Sequence, residues 1–542
     1  MRIEELEKLP RIRRIGLEKT FLAWHAVVDE ESYRELAKKI KAKGGRLVAL
    51  WGSDNLWRDQ AIGGDCEQAT ARFSIHVAFY VQVHSEFIIK PGLLWISLDV
   101  PDTPGSSPAF PSLCGLFPSA ARMERAIRDL LGLSAEGLAD LRPWLRHGAW
   151  PAEQFPLRKD FPLPKSFPRA PDDYPFVRVE GEGVHEIPVG PVHAGIIEPG
   201  HFRFQVVGEK ILRLEERLGY KHKGIEKRFE GMDFMSGARL AGRISGDSTV
   251  AHAFAYALAI ENVTESKAPP RALWLRALCL ERERIANHLG DLGAIGNDAG
   301  LAFGLAQFSR LKEGMLRTNH QSFGHRYLMD VIVPGGLASD LDGDGAILLI
   351  EQEAQSLMPE IDRLQEIYEE HAGLQDRLAN TGQIRPDLAA RLGLIGVAGR
   401  ASGQGLDLRV QCPVPPYDRL KVNITTHQDG DVEARVAVRF GELRESLRLQ
   451  QEILAQLPEG AIHTPLNPSA PYACGIGWVE GWRGEVFSWV RADESNRIDR
   501  CHPHDPSWVL WPALEYAVLG DIVPDFPLVN KSFNLSYSGH DL

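Results

Sequence analysis

The sequence predicts an α+β protein: an N-terminal α+β domain, then a larger domain with a central helical bundle and peripheral β-hairpins. Three observations lead there. Ser74–Val83 (SIHVAFYVQV) is β-branched, aromatic and partly alternating, the pattern of a strand. From Ser248 to about Ala372 the apolar residues recur at helical spacing through several long runs. From Thr381 onward the pattern changes and glycines break that period.

A chain of 542 residues is too long for one ordinary core. Its 44% hydrophobic and 25% charged residues are those of a globular protein. No run of about 18 apolar residues occurs, so no membrane-spanning helix is expected. The start, MRIEELEKLPRIRRIG, has charges without the apolar stretch of a secretory signal. A net charge of −12, spread along the chain, argues against a nucleic-acid binder. The cysteines, Cys66, Cys114, Cys279, Cys412, Cys474 and Cys501, form no Cys-x-x-Cys pair. A zinc or iron–sulfur centre held by this chain alone is therefore not expected. They read as small apolar core residues of a protein in a reducing cytosol.

The first domain is placed at residues 1–161. Ser32–Ala42 and Ser119–Leu131 read as amphipathic helices, and Glu86–Asp99 as a strand or a pair of strands about a Pro91-Gly92 turn. Glu124, Arg125 and Arg158 read as surface ion pairing. Five prolines between Pro162 and Pro175 then mark an extended linker, placed at 162–178. The second domain is placed at 179–542.

It opens with a short hairpin through Gly208-Glu209. Gly224 precedes Glu226 at the start of a helix, where the positive end of the helix dipole favours a carboxylate. Arg243-Ile-Ser-Gly-Asp-Ser248 is a tight polar turn before a helix whose Ala251, Phe254, Ala255 and Leu258 share a buried face. Arg276–Leu292 follows, with Leu278, Ile285, His288 and Leu289 on one stripe. A single histidine on such a stripe is normally a packing residue. The glycine-rich stretch Gly393–Arg409 contains neither Gly-x-Gly-x-x-Gly nor a P-loop, so no nucleotide site is read there.

Several of these segments resemble known families. Pro111-Ser-Leu, Phe117-Pro-Ser-Ala, Glu124-Arg125 and Phe155-Pro-Leu-Arg-Lys-Asp-Phe-Pro162 stand in the order of the complex I small (30-kDa-type) peripheral-arm subunit. Arg243, Gly246, His252, Ala255 and Tyr256 match the first metal motif of [NiFe] hydrogenase large subunits, with Ser245 and Ser248 where that motif has cysteines. Lys223-Gly-Ile-Glu-Lys227 resembles the His-Arg-Gly-x-Glu-Lys segment of the same family. Glu480-Gly-Trp-Arg-Gly-Glu485 resembles its Glu-x-x-Arg-Gly-Glu turn. The end, Ser532–Asp541, resembles the tail of group 4 enzymes, with Ser536 and Gly539 in place of its two cysteines. The chain thus resembles a fused complex I 30-kDa/49-kDa pair and a hydrogenase-4 or formate hydrogenlyase large subunit lacking all four thiolates.

The resemblance implies a subunit of a membrane-associated complex, peripheral on the cytoplasmic side. Its implied partners are a small iron–sulfur subunit, a ferredoxin-like subunit and antiporter-like membrane subunits. No cofactor is expected on this chain, and no metal. An iron–sulfur cluster is expected in the partner, with a quinone as a candidate acceptor. Glu226, Arg243, Asp247 and His201 are the implied catalytic residues. Glu226 and Arg243 are expected to face each other across one cavity. Ser245, Ser248, Ser536 and His540 are expected to line the former metal pocket. Two functions stay open: a redox subunit coupling electron transfer to ion translocation, or a non-redox scaffold that couples conformations.

Overall fold

In the computed structural model, residues 13–15, 22–56, 71–84, 89–102, 105, 107–161, 167–341 and 343–542 are described. Cys66 and Pro162–Ser166 lie outside them.

The N-terminal region is a five-stranded sheet: β1 (Arg13–Ile15), β2 (Leu22–Val28), β3 (Arg46–Asp54), β4 (Phe73–His84) and β5 (Ile89–Val100), in the order β1-β2-β5-β4-β3. Only the β2–β5 pair is parallel, and helix α1 (Glu30–Ala42) follows β2. Pro91-Gly92 makes no turn. β5 runs straight through it, with Pro91 opposite Gln82 of β4. Among the described residues, pairing with β2 runs from Gly92 to Leu98.

Every residue of β3 is buried, because both faces of the sheet are covered. Helix α2 (Ala120–Leu131) packs on one side. On the other, Trp51, Trp95 and Tyr80 meet Trp478, Phe487 and Trp489 of the C-terminal region. Of the residues expected at the surface, Glu124 and Arg125 are inside and Arg158 is half-buried. Glu124 is fully buried and accepts from Ser112 Oγ and Leu113 N, each at 2.6 Å. Arg125 donates to Asp140 and to Tyr174 Oη (2.7 Å). The α2 stripe thus carries its own buried polar partners, which a helical period does not show. The stretch 167–180 has no helix or strand. It is not a free spacer: Tyr174 is buried, and Asp172 pairs with Arg217 at 2.6 Å.

Strands β6 (Val184–Val189), β7 (His201–Val207) and β8 (Lys210–Arg217) form an antiparallel sheet. Short helices α3 (Ile225–Phe229) and α4 (Phe234–Ala241) lead to the central helix α5 (Thr249–Val263). Fourteen of its residues are buried, not one face alone. The reason is its place, between the bundle and a second antiparallel sheet: β9 (Cys474–Glu480), β10 (Glu485–Ala492) and β11 (Ile498–His504). A Cβ on Gly477 would come within 1.8 Å of Ala255 O, and one on Gly475 within 2.2 Å of Ala259 O. Glycine and alanine thus let helix and strand touch backbone to backbone.

Helices α6 (Pro270–Asp298), α7 (Ala302–Phe323), α8 (Asp344–Glu370) and α9 (Val432–Ala455) complete the bundle. Leu278, Ile285, His288 and Leu289 are buried as expected, but so are Arg276, Glu281, Arg282 and Arg284 of α6. Each finds a partner: Glu261, Arg409, Glu353 and the carbonyls of Glu480 and Gly481. Arg400 joins Glu442 (2.6 Å) to Glu480 (2.9 Å), and His288 completes Glu442 at 2.8 Å. Buried charges are tolerated only with such pairing. After β11 come α10 (Ser507–Ala517), α11 (Phe526–Phe533) and α12 (Tyr537–Asp541). Among the described residues no helix is long and apolar enough to cross a membrane.

Candidate functional site

The polar turn before α5 and the C-terminal tail meet. Ser245 Oγ donates to Asp247 Oδ1 at 2.7 Å and lies 2.8 Å from Ser536 Oγ. With its own proton directed at the carboxylate, Ser245 accepts from Ser536, and Ser536 accepts from Gly539 N at 2.9 Å. The turn is pinned from outside: Trp482 Nε1 and Asn287 Nδ2 both donate to Asp247 O at 2.8 Å.

The cation that holds the turn is Arg483. It donates to Asp247 Oδ2 at 2.7 Å, to Ser248 Oγ at 3.1 Å and to Asn534 O at 2.5 Å. Partial burial pushes the Asp247 carboxyl up, but the Arg483 guanidinium and the Ser245 hydroxyl outweigh it and hold it low. Arg483 sits between Gly481 and Gly484 in the tight link from β9 to β10, which presents its side chain to the turn. The Glu-Gly-Trp-Arg-Gly-Glu motif marks that link in the sequence. Reading it only as a strand-pair turn missed its arginine.

The polar turn and the tail border an open pocket of about 620 Å³, a size that suits a small organic ligand. Ser245, Asp247 and Ser536 line it with Lys531, His193 and Tyr537. His193 Nε2 lies 3.2 Å from Tyr537 Oη, and burial pushes the Tyr537 phenol up, so it stays protonated and able to donate. Ile196, fully exposed, lies in the loop that edges the pocket.

The remaining expected site residues lie elsewhere. Arg243 does not face Glu226. It follows α4, points outward and pairs with Asp330, both side chains being about two-fifths exposed. Glu226 is buried at the first turn of α3, and its partners are Arg500 (2.9 Å) and His502 (2.6 Å) of β11. Burial alone would push its carboxyl up. Arg500 and His502 overcome that and hold it at about 2. The expectation failed because its true partners are 270-odd residues away in sequence, on a strand with no acid–base pattern. His201 is buried at the start of β7, bonded to Gly190 O at 3.2 Å and packed on Phe176. It is not among the pocket's lining residues. His193, eight residues earlier, is. His540 is also outside the pocket, stacked on Trp508 at 4.2 Å with Nδ1 2.9 Å from Asp541.

The four positions that carry thiolates in the resembled motif do converge here. They present three hydroxyls and no side chain at all, and a nickel–iron centre needs soft thiolates. The space is also taken. A Cβ on Gly539 would meet Asp505 Oδ2 at 2.5 Å and Ser536 Oγ at 2.9 Å. Asp505 is fully buried and bonded to His252 Nε2 at 2.9 Å. The residues present do not fit a [NiFe] centre.

Comparison with known proteins matches this architecture. The family described as respiratory-chain NADH dehydrogenase, 30 Kd subunit, matches residues 26–167, and its 49 Kd counterpart matches residues 298–473. Hydrogenase-4 component G of Escherichia coli is 32% identical over 525 residues, covering 95% of this chain and 90% of the relative. Formate hydrogenlyase subunit 5 of the same organism is 30% identical over 504 residues, covering 92% and 85%. The chain belongs to the family of these two large subunits. It joins a 30 Kd-type and a 49 Kd-type region in one polypeptide. A chain of the membrane-bound sulfane sulfur reductase, an archaeal respiratory membrane complex, superposes with a TM-score of 0.63 at 23% identity. That match covers 67% of this chain and 99% of the other, and it shows a shared fold.

Proposed function

We propose that this chain is the peripheral large subunit of a membrane-bound respiratory complex, that it holds no [NiFe] centre, and that its serine-lined pocket binds a quinone-type acceptor reduced by an iron–sulfur partner. The family supports the setting: relatives include a membrane-bound hydrogenase subunit alpha from Pyrococcus furiosus and NADH-quinone oxidoreductase D subunits. One observation carries the pocket's role. The Asp247–Arg483 pair and the Ser245–Ser536 bond stand at an accessible cavity of about 620 Å³ instead of being sealed in the core.

The chemistry follows from the lining. Lys531 is the lining cation that can meet a carbonyl oxygen gaining electron density on reduction, with Arg483 buried behind Asp247 and the carboxylates of Glu198 and Asp298 also at the pocket. Tyr537, kept protonated and hydrogen-bonded to His193, is placed to donate a proton. The iron–sulfur group would belong to the partner, and this chain's part is to bind, orient and protonate. Coupling of that reduction to ion translocation belongs to the membrane subunits of the same assembly.

The test uses the purified complex. Elemental analysis should find no nickel stoichiometric with the chain. Reduced iron–sulfur signals should be reoxidised by an added water-soluble quinone, and Arg483→Met should slow that at least about tenfold. Equimolar nickel would overturn the first point. Signals indifferent to every quinone would favour the scaffold reading.

A further inference from the structure

A second, smaller cavity lies behind β11, between the N-terminal sheet region and the C-terminal region. Its volume is about 30 Å³, room for one or two waters and little else. One wall is apolar: Leu50 and Trp51 of β3, with Met123, Ile127 and Leu130 of α2. That wall carries no titratable side chain. The other wall holds Glu226, Arg500, His502, His504 and Trp508, with the partly exposed His222 beside them.

Four buried polar atoms of this wall have no partner among the described residues: Arg500 Nε, His502 Nε2, His504 Nε2 and Trp508 Nε1. Their residues are all more than nine-tenths buried. Orphaned buried polar atoms are rare in folded proteins, and these four, with Trp51 Nε1 on the facing wall, call for a common partner. Two of the four can only donate. His502 is different. Its Nδ1 is 2.6 Å from Glu226 Oε1, a carboxylate that can only accept, so Nδ1 bears the proton and Nε2 is an acceptor. The partner must therefore both accept and donate in a space of one or two water molecules. Water does so.

We propose that this cavity is a water site, and that water between His502 and His504 forms a proton relay leading from His222 to the back of the serine-lined pocket. The two imidazoles project from alternate residues of one strand, with ring centroids 6.2 Å apart, a span that one water bridges. Burial keeps both rings neutral, so each offers one donor and one acceptor. In the transfer a proton delivered at His222 adds to the water, an O–H bond of the water breaks as an N–H bond forms at His504 Nε2, and His504 releases its Nδ1 proton toward the pocket side. His502, whose Nδ1 proton is held by Glu226, accepts from the water at Nε2 and keeps it in place. One positive charge is passed on and none is left behind. His504 precedes Asp505, whose carboxylate stands behind Gly539 at the serine-lined pocket. The relay rests on the reading of that pocket as a reduction site, which consumes protons.

The first test is a high-resolution cryo-EM structure of the assembled complex. Water density should lie about 2.7–3.2 Å from His502 Nε2 and His504 Nε2, and should vanish in His504→Phe. A dry cavity overturns the proposal. The second test is quinone-dependent turnover of the complex. His504→Gln, which keeps polarity but cannot pass a proton, should slow it at least about tenfold and enlarge the solvent isotope effect, while the melting temperature stays close to that of the parent. An unchanged rate and isotope effect would overturn the relay. A wild-type complex that reduces no quinone would count against the pocket's function, and the water density would still decide the cavity.

Discussion

The helical core and the serine-lined pocket are both built on arginine–carboxylate pairs, and they differ in access. Arg400, Glu442 and Glu480 are at most 4% exposed at the side chain, and each carboxylate meets more than one donor. Asp247 is 41% exposed at the side chain, although its partner Arg483 is buried. Charges that are sealed and paired fix how helices pack. A pair with one member open to a cavity can exchange part of its bonding for a ligand. Access, not charge, separates the structural network from the candidate site.

The comparison can be broken most severely in the core. Arg400→Met strips Glu442 and Glu480 of their shared cation in a dry setting, and should cost on the order of 3–5 kcal/mol in thermal unfolding of the complex. A loss below about 1 kcal/mol would show that these pairs do not hold the bundle.

Glu226 is the next case. Arg500→Met alone should cost about 3 kcal/mol, because it leaves a buried carboxylate with one partner. Adding Glu226→Gln should recover part of that loss in a double-mutant cycle. Acid sharpens the point. The folded carboxyl sits at about 2 against an ordinary 4.5, so the unfolded chain binds the proton more readily. The stabilisation is present above about pH 4.5 and is lost as pH falls toward 2. Glu226→Gln should flatten acid unfolding in that window, and equal slopes would refute the pairing.

At the pocket the effect on stability should be smaller. Arg483→Met should cost about 1–3 kcal/mol, since solvent reaches Asp247 and relieves it. Smallest of all is Arg243→Ala, which removes an exposed pair with Asp330 and should change stability by less than about 1 kcal/mol. Quinone response should be unaltered by it. A large loss there would return Arg243 to the site.

The sequence disclosed much of this frame. Strand β4, helix α2 and the α6 stripe follow from side-chain period, and the motif order points to the convergence of Ser245, Ser248, Ser536 and Gly539. Partners were less legible. Glu226 and Arg243 are only seventeen residues apart, each near a helix end, yet α3 points one inward and α4 leaves the other outside. Arg500 and His502 lie on one buried strand, and no local pattern tells a strand histidine which carboxylate it will meet. Motif spacing points to His201, and it says nothing of the loop that folds His193 back onto the pocket. The period of α6 shows its apolar stripe, but one helix cannot reveal that helices α5, α7, α9 and α11 also cover its charges.

The bare backbone seam between α5 and β9 has a mechanical consequence. Gly475 and Gly477 leave no side chain to act as a bearing, so the helix carrying His252 and the strand leading to Arg483 cannot slide past one another. Behind the pocket the two elements keep one spacing, and the exposed loop around Ile196 is the edge left without such a seam.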